Sequence, residues 1–265
     1  MEYITDKKVS LILPSYLRPE LLELGLRSIA SRMIRFDFEV IVVNDGLEDD
    51  TRLVCERFNY NRFNVKYIFT GQRNSKDNMI YRNPAKVLNI GIKASTGDIL
   101  VLSCPEMYHV DSALTDVVLQ VINNPNAIGT PQIIHFDNDG QLTDMFAMCN
   151  LEYTLDYCQQ CPHSSQMPFL MAVWKDKVMQ IGGYDEDYND GYAGEDNDLM
   201  DRLHAIGCRY SKVDTKVVHL YHGPRCSGEE DWDNPKWVFS YNLRKAKMGT
   251  IVRNEGREWG VNESI

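Results

Sequence analysis

Residues 182–203 read GGYDEDYNDGYAGEDNDLMDRL, and this stretch guides the interpretation of the whole chain. The pair Gly182-Gly183, followed by aspartates, predicts a sharp turn. Glycine adopts positive φ angles readily, and aspartate is common in turns. A helix is predicted to begin at Glu195-Asp196, since leucines recur after it at helical spacing and Gly207 would end it. The acidic pair then has two interpretations. The carboxylates either stabilise the first turn of the helix, or Asp196 faces a ligand as a general base.

The first hundred residues alternate apolar strands with helices. Apolar runs at 9–13, 38–43, 65–69 and 98–103 predict strands, and the segment 85–92 has a helical pattern. This rhythm predicts an α/β fold in a single domain, with a mostly parallel, Rossmann-like central sheet and helices on both faces. Ligands bind beyond the carboxyl ends of such strands, which places the segments 14–16, 45–46 and 103–106 on one rim.

Composition and charge exclude several classes of protein. The chain has 265 residues, 43% hydrophobic and 25% charged, which favours a packed core over disorder. A net charge of −10 and a pI near 5.1 give no general attraction to nucleic acid or anionic membranes, although a local basic groove is compatible with them. With no long apolar run and no signal-peptide profile, we expect a cytoplasmic protein without an integral membrane segment. The seven cysteines, with a lone Cys158-x-x-Cys161 pair, are expected to be reduced thiols.

The acidic stretch is similar to a motif of known enzymes. Gly-Gly-Tyr-Asp-Glu followed by Gly-Tyr-Ala-Gly-Glu-Asp-Asn-Asp resembles the acceptor-side motif of glycosyltransferases with the GT-A fold. β-1,4-Galactosyltransferases, polypeptide N-acetylgalactosaminyltransferases and bacterial family 2 chondroitin-polymerase-like enzymes share this form. The resemblance implies a GT-A domain at 1–225, with a nucleotide-sugar half at 1–108 and an acceptor half at 109–225. A lid and tail would follow at 226–265.

The strand ends resemble the donor pocket of these enzymes. Their first loop, where the nucleotide base is bracketed, is matched here by Pro14, Ser15, Tyr16 and Arg18. Asp45 matches the aspartate that accepts a hydrogen bond from uracil, and its alternative role is to cap the next helix. The resemblance also implies that further basic residues contact the donor, namely Arg82, Lys86 and Arg225. Arg82 is alternatively a surface charge.

The metal motif departs from the family pattern. The family carries Asp-x-Asp after the fourth strand, with the last carboxylate on the metal, whereas this chain has Cys104-Pro105-Glu106. Glu106 is either a hard oxygen ligand suited to Mn²⁺ or Mg²⁺, or a solvated residue at a strand end. The resemblance also implies a histidine ligand, with His219 favoured over His222. On a regular strand these two histidines point to opposite faces, so we do not expect both to bind one ion.

The acceptor half supplies the remaining candidate residues. The resemblance implies that Asp196 takes the proton of an acceptor hydroxyl, and that Glu195 positions the acceptor. Tyr192 and Gly194 belong to the same motif and are implied to line the acceptor site. Trp174 ends an apolar strand that lines this site in related enzymes, so it either stacks on a sugar or belongs to the core.

The sequence therefore predicts a metal-dependent GT-A glycosyltransferase with a nucleotide-sugar donor, a UDP-sugar, and a glycan or other hydroxyl-bearing acceptor. The carboxylate base favours inversion, while the resemblance to N-acetylgalactosaminyltransferases leaves retention open. A nucleic-acid acceptor also stays open. Two other classes remain as alternatives. A nucleotidyltransferase is disfavoured because the first loop is not glycine-rich and carries no lysine, and a non-catalytic nucleotide- or sugar-binding protein is permitted by the missing first carboxylate.

Overall fold

The computed structural model describes residues 4–46, 48–59, 63–71, 83–135, 159–160, 169–220, 222 and 234–262. The strands are β1 (Val9–Ser15), β2 (Phe38–Asn44), β3 (Asn64–Phe69), β4 (Ile99–Ser103), β5 (Met107–His109), β6 (Ala127–His135), β7 (Gln159–Gln160), β8 (Leu170–Trp174) and β9 (Arg209–His219). The α-helices are α1 (Pro19–Ala30), α2 (Thr51–Asn59), α3 (Ala85–Ala94), α4 (Ala113–Asn123), α5 (Lys175–Gln180), α6 (Glu195–Ala205) and α7 (Pro235–Ala246). A 3₁₀ helix spans Glu186–Asp190.

The described strands form one sheet in the order β3-β2-β1-β4-β8-β6-β9-β5, with β7 paired to β6. The first four strands in this order are parallel, as the sequence predicts. The rest of the sheet is mixed, because β8 runs antiparallel to both β4 and β6, while β9 runs parallel to β6. The antiparallel pairing places Leu170 beside Ser103 at the carboxyl end of β4, and Trp174 beside Ile99 at its amino end.

Helices cover both faces of the sheet, which confirms the predicted α/β architecture. Alternate residues of a strand point to opposite faces, so Leu11 of β1 packs in a cluster with residues of α1, α2 and α4. Its neighbour Ile12 packs in a second cluster with residues of α3, α5 and α6. Both side chains are fully buried. No helix in the described part of the chain is long and apolar enough to cross a membrane.

The carboxyl ends of the parallel strands meet at one edge, which we call the rim. The backbone N–H of Asp45, just after β2, donates to the carbonyl of Ser15 at 2.9 Å. The N–H of Thr70, just after β3, donates to the carbonyl of Asn44 at 3.0 Å. These bonds continue the sheet beyond the last strand residues and hold the three chain segments side by side.

The turn before α6 approaches the C-terminal part of the chain very closely. Gly182 has a φ of +78°, a value that L side chains rarely adopt. A Cβ atom at this position would collide with the carbonyl oxygen of Arg253. The N–H of Arg253 also donates to the carbonyl of Ile181 at 3.0 Å, so the turn and the C-terminal segment are packed backbone to backbone.

Residues 247–262, which we call the C-terminal strap, bind the acidic stretch through buried charges. Nη2 of Arg253 donates to Oδ1 of Asp198 at 2.7 Å, and Nε of Arg253 lies 3.2 Å from Oδ2 of Asp185. Nζ of Lys247 donates to the carboxylates of Asp185 and Asp187. At the far end of the strap, Nδ2 of Asn262 donates to the carbonyl of Phe69 at 3.0 Å, beside the rim. The strap thus joins the segment before α6 to the end of β3.

We expect the substitution Arg253→Ala to lower the free energy of unfolding by about 3 kcal/mol. Removing one partner of a buried ion pair costs about 3–5 kcal/mol, and Asp198 keeps its hydrogen bond from Arg202, which favours the lower figure. The measurement is urea-induced unfolding of the purified protein. A matched control is Arg244→Ala, whose pair with Asp201 is exposed and whose loss should cost less than about 1 kcal/mol. Equal losses for the two variants would contradict an anchoring role for Arg253.

Candidate active site

The predicted donor pocket lies at the rim. Ser15 and Asp45 adjoin through the hydrogen bond between their backbones, and both side chains are buried. The Asp45 carboxylate accepts a hydrogen bond from Oγ1 of Thr70 at 2.9 Å. The first turn of α2 is capped by another aspartate, since the N–H of Thr51 donates to Oδ1 of Asp49 at 3.0 Å. Asp49, and not Asp45, therefore caps helix α2.

The other predicted donor residues have different positions. Pro14 lies within β1 and Tyr16 directly follows it, and both are partly buried. Lys86 is partly buried in the first turn of α3. Arg82 and Arg225 lie outside the described residues.

Arg18 reaches a cluster of candidate metal ligands. Its Nη1 lies 2.6 Å from Oε1 of Glu106, and its Nη2 lies 3.2 Å from Nδ1 of His222. Glu106 follows β4 and immediately precedes β5, and the antiparallel register of β5 and β9 pairs Met107 with His219. The N–H of Leu220 donates to the carbonyl of Glu106 at 2.8 Å, which fixes the end of β9 next to this carboxylate.

Both histidines face Glu106, which corrects the expectation that they point to opposite faces. Nε2 of His219 lies 3.7 Å and Nε2 of His222 lies 3.6 Å from Oε1 of Glu106. Strand β9 ends at His219, so the alternation of side chains along a regular strand does not extend to His222. The two rings lie edge to face with centroids 5.2 Å apart.

The contact with Arg18 distinguishes the two histidines chemically. A guanidinium group only donates hydrogen bonds, so Nδ1 of His222 accepts from Arg18 and the proton of a neutral ring resides on Nε2. Nε2 of His222 then carries the proton and faces Glu106 at 3.6 Å, so it offers no lone pair to a metal. His219 is therefore the better candidate ligand, as the resemblance implies.

Glu106 is an ionised carboxylate at a buried position. Burial of the side chain raises its pKa, but its interactions with His219, the guanidinium of Arg18 and His222 outweigh this effect and lower the pKa to about 2. Among the described residues, Oε2 of Glu106 has no hydrogen-bond partner. An ionised, buried oxygen of this kind fits a divalent cation, and the exposed fraction of 3% does not fit a solvated strand end.

Cys104 belongs to the same cluster, although it was not a candidate ligand in the sequence. Its Sγ, a carboxylate oxygen of Glu106 and a ring nitrogen of His219 all lie within 4.8 Å of one another. The signal that could have identified it is its alignment with the first aspartate of the family's Asp-x-Asp motif. The structure thus brings together a thiol, a carboxylate and an imidazole.

The acidic pair at the start of α6 lies close to the start of α3. Glu195 is buried, and its Oε2 accepts a hydrogen bond from Nδ2 of Asn83 at 2.7 Å. The N-cap position of α6 is Gly194, with a φ of +89°, so neither carboxylate occupies the capping position. The residues that follow α3 bond to Glu39 and Ser10 near the amino ends of β2 and β1, whereas Gly91 within α3 packs on Ile12 and Val43 farther along these strands. Helix α3 therefore runs opposite to the strands, and its first residues lie toward the rim. The bond from Asn83 therefore brings Glu195 to the same edge of the sheet as Asp45 and Glu106.

Asp196 lies beside the hydroxyl of Tyr184, a residue that the sequence analysis did not single out. Burial and the negative charges of Asp196 and Glu195 raise the pKa of Tyr184 well above its ordinary value. The hydroxyl therefore stays protonated beside these carboxylates. Tyr184 itself is held by Asn89, whose side chain bonds both its backbone N–H and its carbonyl. The aromatic position directly after the two glycines is the only sequence signal for this contact.

Of the two aromatic acceptor candidates, Tyr192 lies close to the start of α6 and Trp174 does not. Tyr192 is buried against Trp237, with ring centroids 4.8 Å apart, and its N–H donates to Oγ of Ser240 at 2.9 Å. Trp174 lies at the end of β8 farthest from the rim, and its indole N–H donates to the carbonyl of Val121 at 3.0 Å. The structure therefore does not bring Trp174 to the site. Its ring packs against the core, as the alternative interpretation held.

Curated relatives of the chain are polysaccharide synthases and a glucosyltransferase. The chondroitin synthase of Pasteurella multocida (strain Pm70) is 23% identical over 92% of this chain and 28% of its own length. Validoxylamine A glucosyltransferase of Streptomyces hygroscopicus subsp. jinggangensis (strain 5008) is 29% identical over 75% of this chain and 52% of its own length. The chain thus spans only part of the length of the relatives it matches.

Solved structures with a similar fold include a complex with a nucleotide and a complex with a nucleotide sugar. TarS 1–349 of S. aureus with UDP has a TM-score of 0.60 and 18% identity, covering 81% of this chain and 60% of its own. The mannosyltransferase PcManGT from Pyrobaculum calidifontis, in complex with GDP-Man and Mn²⁺, has a TM-score of 0.56 and 16% identity, covering 84% of this chain and 59% of its own. These similarities confirm the predicted GT-A fold.

Two family models match consecutive parts of the chain. The model described as N-terminal domain of galactosyltransferase matches residues 160–223, which include the acidic stretch and both histidines. The model described as Glycosyl transferase family 2 matches residues 10–145, just over half of the chain, and includes Asp45 and Glu106. The resemblance in the sequence is therefore confirmed, and the protein belongs to glycosyl transferase family 2.

Proposed function

We propose that this protein is a metal-dependent, inverting glycosyltransferase that moves a sugar from a UDP-sugar to an acceptor hydroxyl. One observation carries the proposal. The hydrogen bond between Asn83 and Glu195 brings the acidic pair to the same rim as the candidate donor pocket and the ionised Glu106. A donor held at the rim and an acceptor held at the start of α6 would then meet between the two halves of the chain.

Asp45 would recognise the nucleotide base. Its carboxylate lies at the carboxyl end of a parallel strand, where such sheets bind their ligands, and one of its oxygens accepts from Thr70. The other carboxylate oxygen would accept the ring N–H of uracil. The UDP complex of the structurally similar TarS supports a uridine nucleotide, and the GDP-Man complex of PcManGT supports the same general site.

Glu106 and His219 would hold a divalent cation, Mn²⁺ or Mg²⁺. The chemistry that the ion supplies is neutralisation of the diphosphate as it leaves. The protein's own contribution is to keep Glu106 ionised and in place through Arg18, His219 and His222. His222 would act on Glu106 by holding Arg18 rather than as a ligand, since its Nδ1 accepts from Arg18.

Asp196 would act as the general base. The acceptor oxygen attacks the anomeric carbon, its proton passes to the Asp196 carboxylate, and the bond between that carbon and the diphosphate oxygen breaks. Glu195, fixed by Asn83, would position the acceptor. A single displacement of this kind inverts the anomeric centre. The acceptor would be a glycan or another hydroxyl-bearing molecule.

We expect UDP to raise the melting temperature of the protein, and we expect Asp45→Ala to remove most of this effect. A ligand at a hundredfold excess over its dissociation constant stabilises the folded state by about 2.7 kcal/mol, which a melting experiment detects. A suitable control is Asp98→Ala, because Asp98 lies at the opposite edge of the sheet, where it accepts from the N–H of Lys8. The base-pocket assignment fails if UDP stabilises Asp45→Ala as much as the unmodified protein.

Metal dependence has its own test. EDTA should abolish sugar transfer and added Mn²⁺ should restore it, with Glu106→Ala and His219→Ala each needing a higher concentration of the ion. His204→Ala serves as a control, because this histidine lies on α6 against Tyr210 and should leave the metal requirement unchanged. Full transfer in EDTA would refute both ligand assignments.

The substitution Asp196→Asn should separate catalysis from donor binding. General-base catalysis contributes about a hundred- to ten-thousandfold, so turnover should fall by at least about a hundredfold. UDP affinity and melting temperature should change little, because the donor is bound by the other half of the chain and asparagine keeps the volume. Asp201→Asn, on the exposed side of the same helix, is the control. Near-normal turnover in Asp196→Asn would leave Glu195 as the next candidate base, since both oxygens of Asp198 are bound by arginines.

A further inference from the structure

We propose that Cys104 is a metal ligand, so that Cys104, Glu106 and His219 form a three-ligand site that prefers thiophilic divalent ions. The inference rests on the proposed metal-binding role of this site and specifies which ions the site selects. It assigns a sulfur ligand at the position where the family pattern has a carboxylate.

The position of Cys104 is fixed by elements on both sides of the site. It directly follows β4, and its Sγ lies within 4.8 Å of both the Glu106 carboxylate and the His219 ring. The carbonyl of Phe169 accepts from Oγ of Ser103 at 2.6 Å and lies 3.9 Å from Sγ of Cys104. The ring of Phe169 packs edge to face on His219, with centroids 4.9 Å apart. One residue thus supports both the sulfur and the imidazole.

A second observation points to a bound ion. Glu106 is almost fully buried, Arg18 contacts its Oε1, and within the described part of the chain its Oε2 has no hydrogen-bond partner. A buried carboxylate oxygen without such a partner is costly, and a cation shared with the neighbouring thiol and imidazole would offset this cost.

The ligand types determine which ions fit. Thiolates select soft or borderline ions, imidazole suits Zn²⁺ and Co²⁺, and carboxylates alone suit Mg²⁺ and Mn²⁺. Three protein ligands with a fourth position left open are the pattern of catalytic zinc sites. On binding, the thiol of Cys104 loses its proton to solvent and the thiolate sulfur coordinates the ion. We therefore expect Cd²⁺, Zn²⁺ and Co²⁺ to bind more tightly than Mn²⁺, with Mg²⁺ weakest.

The test is a titration of the metal-free protein with Co²⁺, followed by absorption in the near ultraviolet, where cobalt–thiolate charge transfer is seen. The unmodified protein should develop this band, and Cys104→Ser should lose it. The affinity for Co²⁺ should fall at least about tenfold in Cys104→Ser, since loss of mere supporting contacts already costs about 10–100-fold. The control is the double variant Cys158→Ser/Cys161→Ser, which removes the lone Cys-x-x-Cys pair and should keep the band.

The variant Cys104→Asp restores the family's carboxylate. It should change the metal preference of the site without abolishing metal binding. Its ratio of Mn²⁺ to Cd²⁺ affinity, measured by thermal stabilisation, should rise relative to the unmodified protein. An unchanged ratio would overturn the proposal. So would a charge-transfer band that persists in Cys104→Ser, because the sulfur would then come from another cysteine.

The spectrum of the unmodified protein distinguishes the role of Cys104 as a ligand from the existence of a metal site. Bound Co²⁺ without a charge-transfer band would refute Cys104 as a ligand while leaving a metal site of Glu106 and His219 in place. Absence of Co²⁺, Mn²⁺ and Cd²⁺ binding would overturn both this inference and the proposed metal dependence.

Discussion

The position of helix α6 depends on the buried ion pairs around Arg253. Buried charges are tolerated only when each is paired and hydrogen-bonded. Asp198 accepts hydrogen bonds from Arg202 and Arg253, and Arg253 also lies 3.2 Å from Asp185. Because Asp198 belongs to α6 and Asp185 to the turn before it, the C-terminal strap fixes both elements together. The first turn of α6 thereby has one position relative to the sheet, and the acidic pair that it carries has that position too.

The same constraint on buried charge shapes the rim. Glu106 is ionised at a depth where burial alone would favour the protonated form, so positive groups must surround it. Arg18 comes from the loop after β1 and His219 from the end of β9, two segments far apart in sequence. The site therefore forms only when the parallel and mixed parts of the sheet are assembled, which links the proposed chemistry to the complete fold.

The sequence predicts features that have local causes and misses those that depend on distant pairing. Asp45 was predictable because a buried strand followed by a turn signal marks a strand end, and parallel strand ends meet at one edge. Trp174 was ambiguous because its surroundings depend on the antiparallel direction of β8, for which the sequence has no local signal. The convergence of His222 on Glu106 depends on where β9 ends, and strand ends are poorly marked by residue type. The carboxylate partners of Arg253 are more than 50 residues away, and no sequence period indicates them.

The acidic stretch contains two kinds of carboxylate, and their different partners explain a division of roles. Both oxygens of Asp198 accept from guanidinium groups in the interior, so its negative charge is paired with two arginines. Asp196 lies near the hydroxyl of Tyr184, which is neutral and leaves the charge of the carboxylate uncancelled. Two positions along a helix differ by about 200° around its axis, so the two side chains leave α6 on nearly opposite sides. One face of the helix is thereby bound to the C-terminal strap, while the opposite face presents a negatively charged group that can accept a proton.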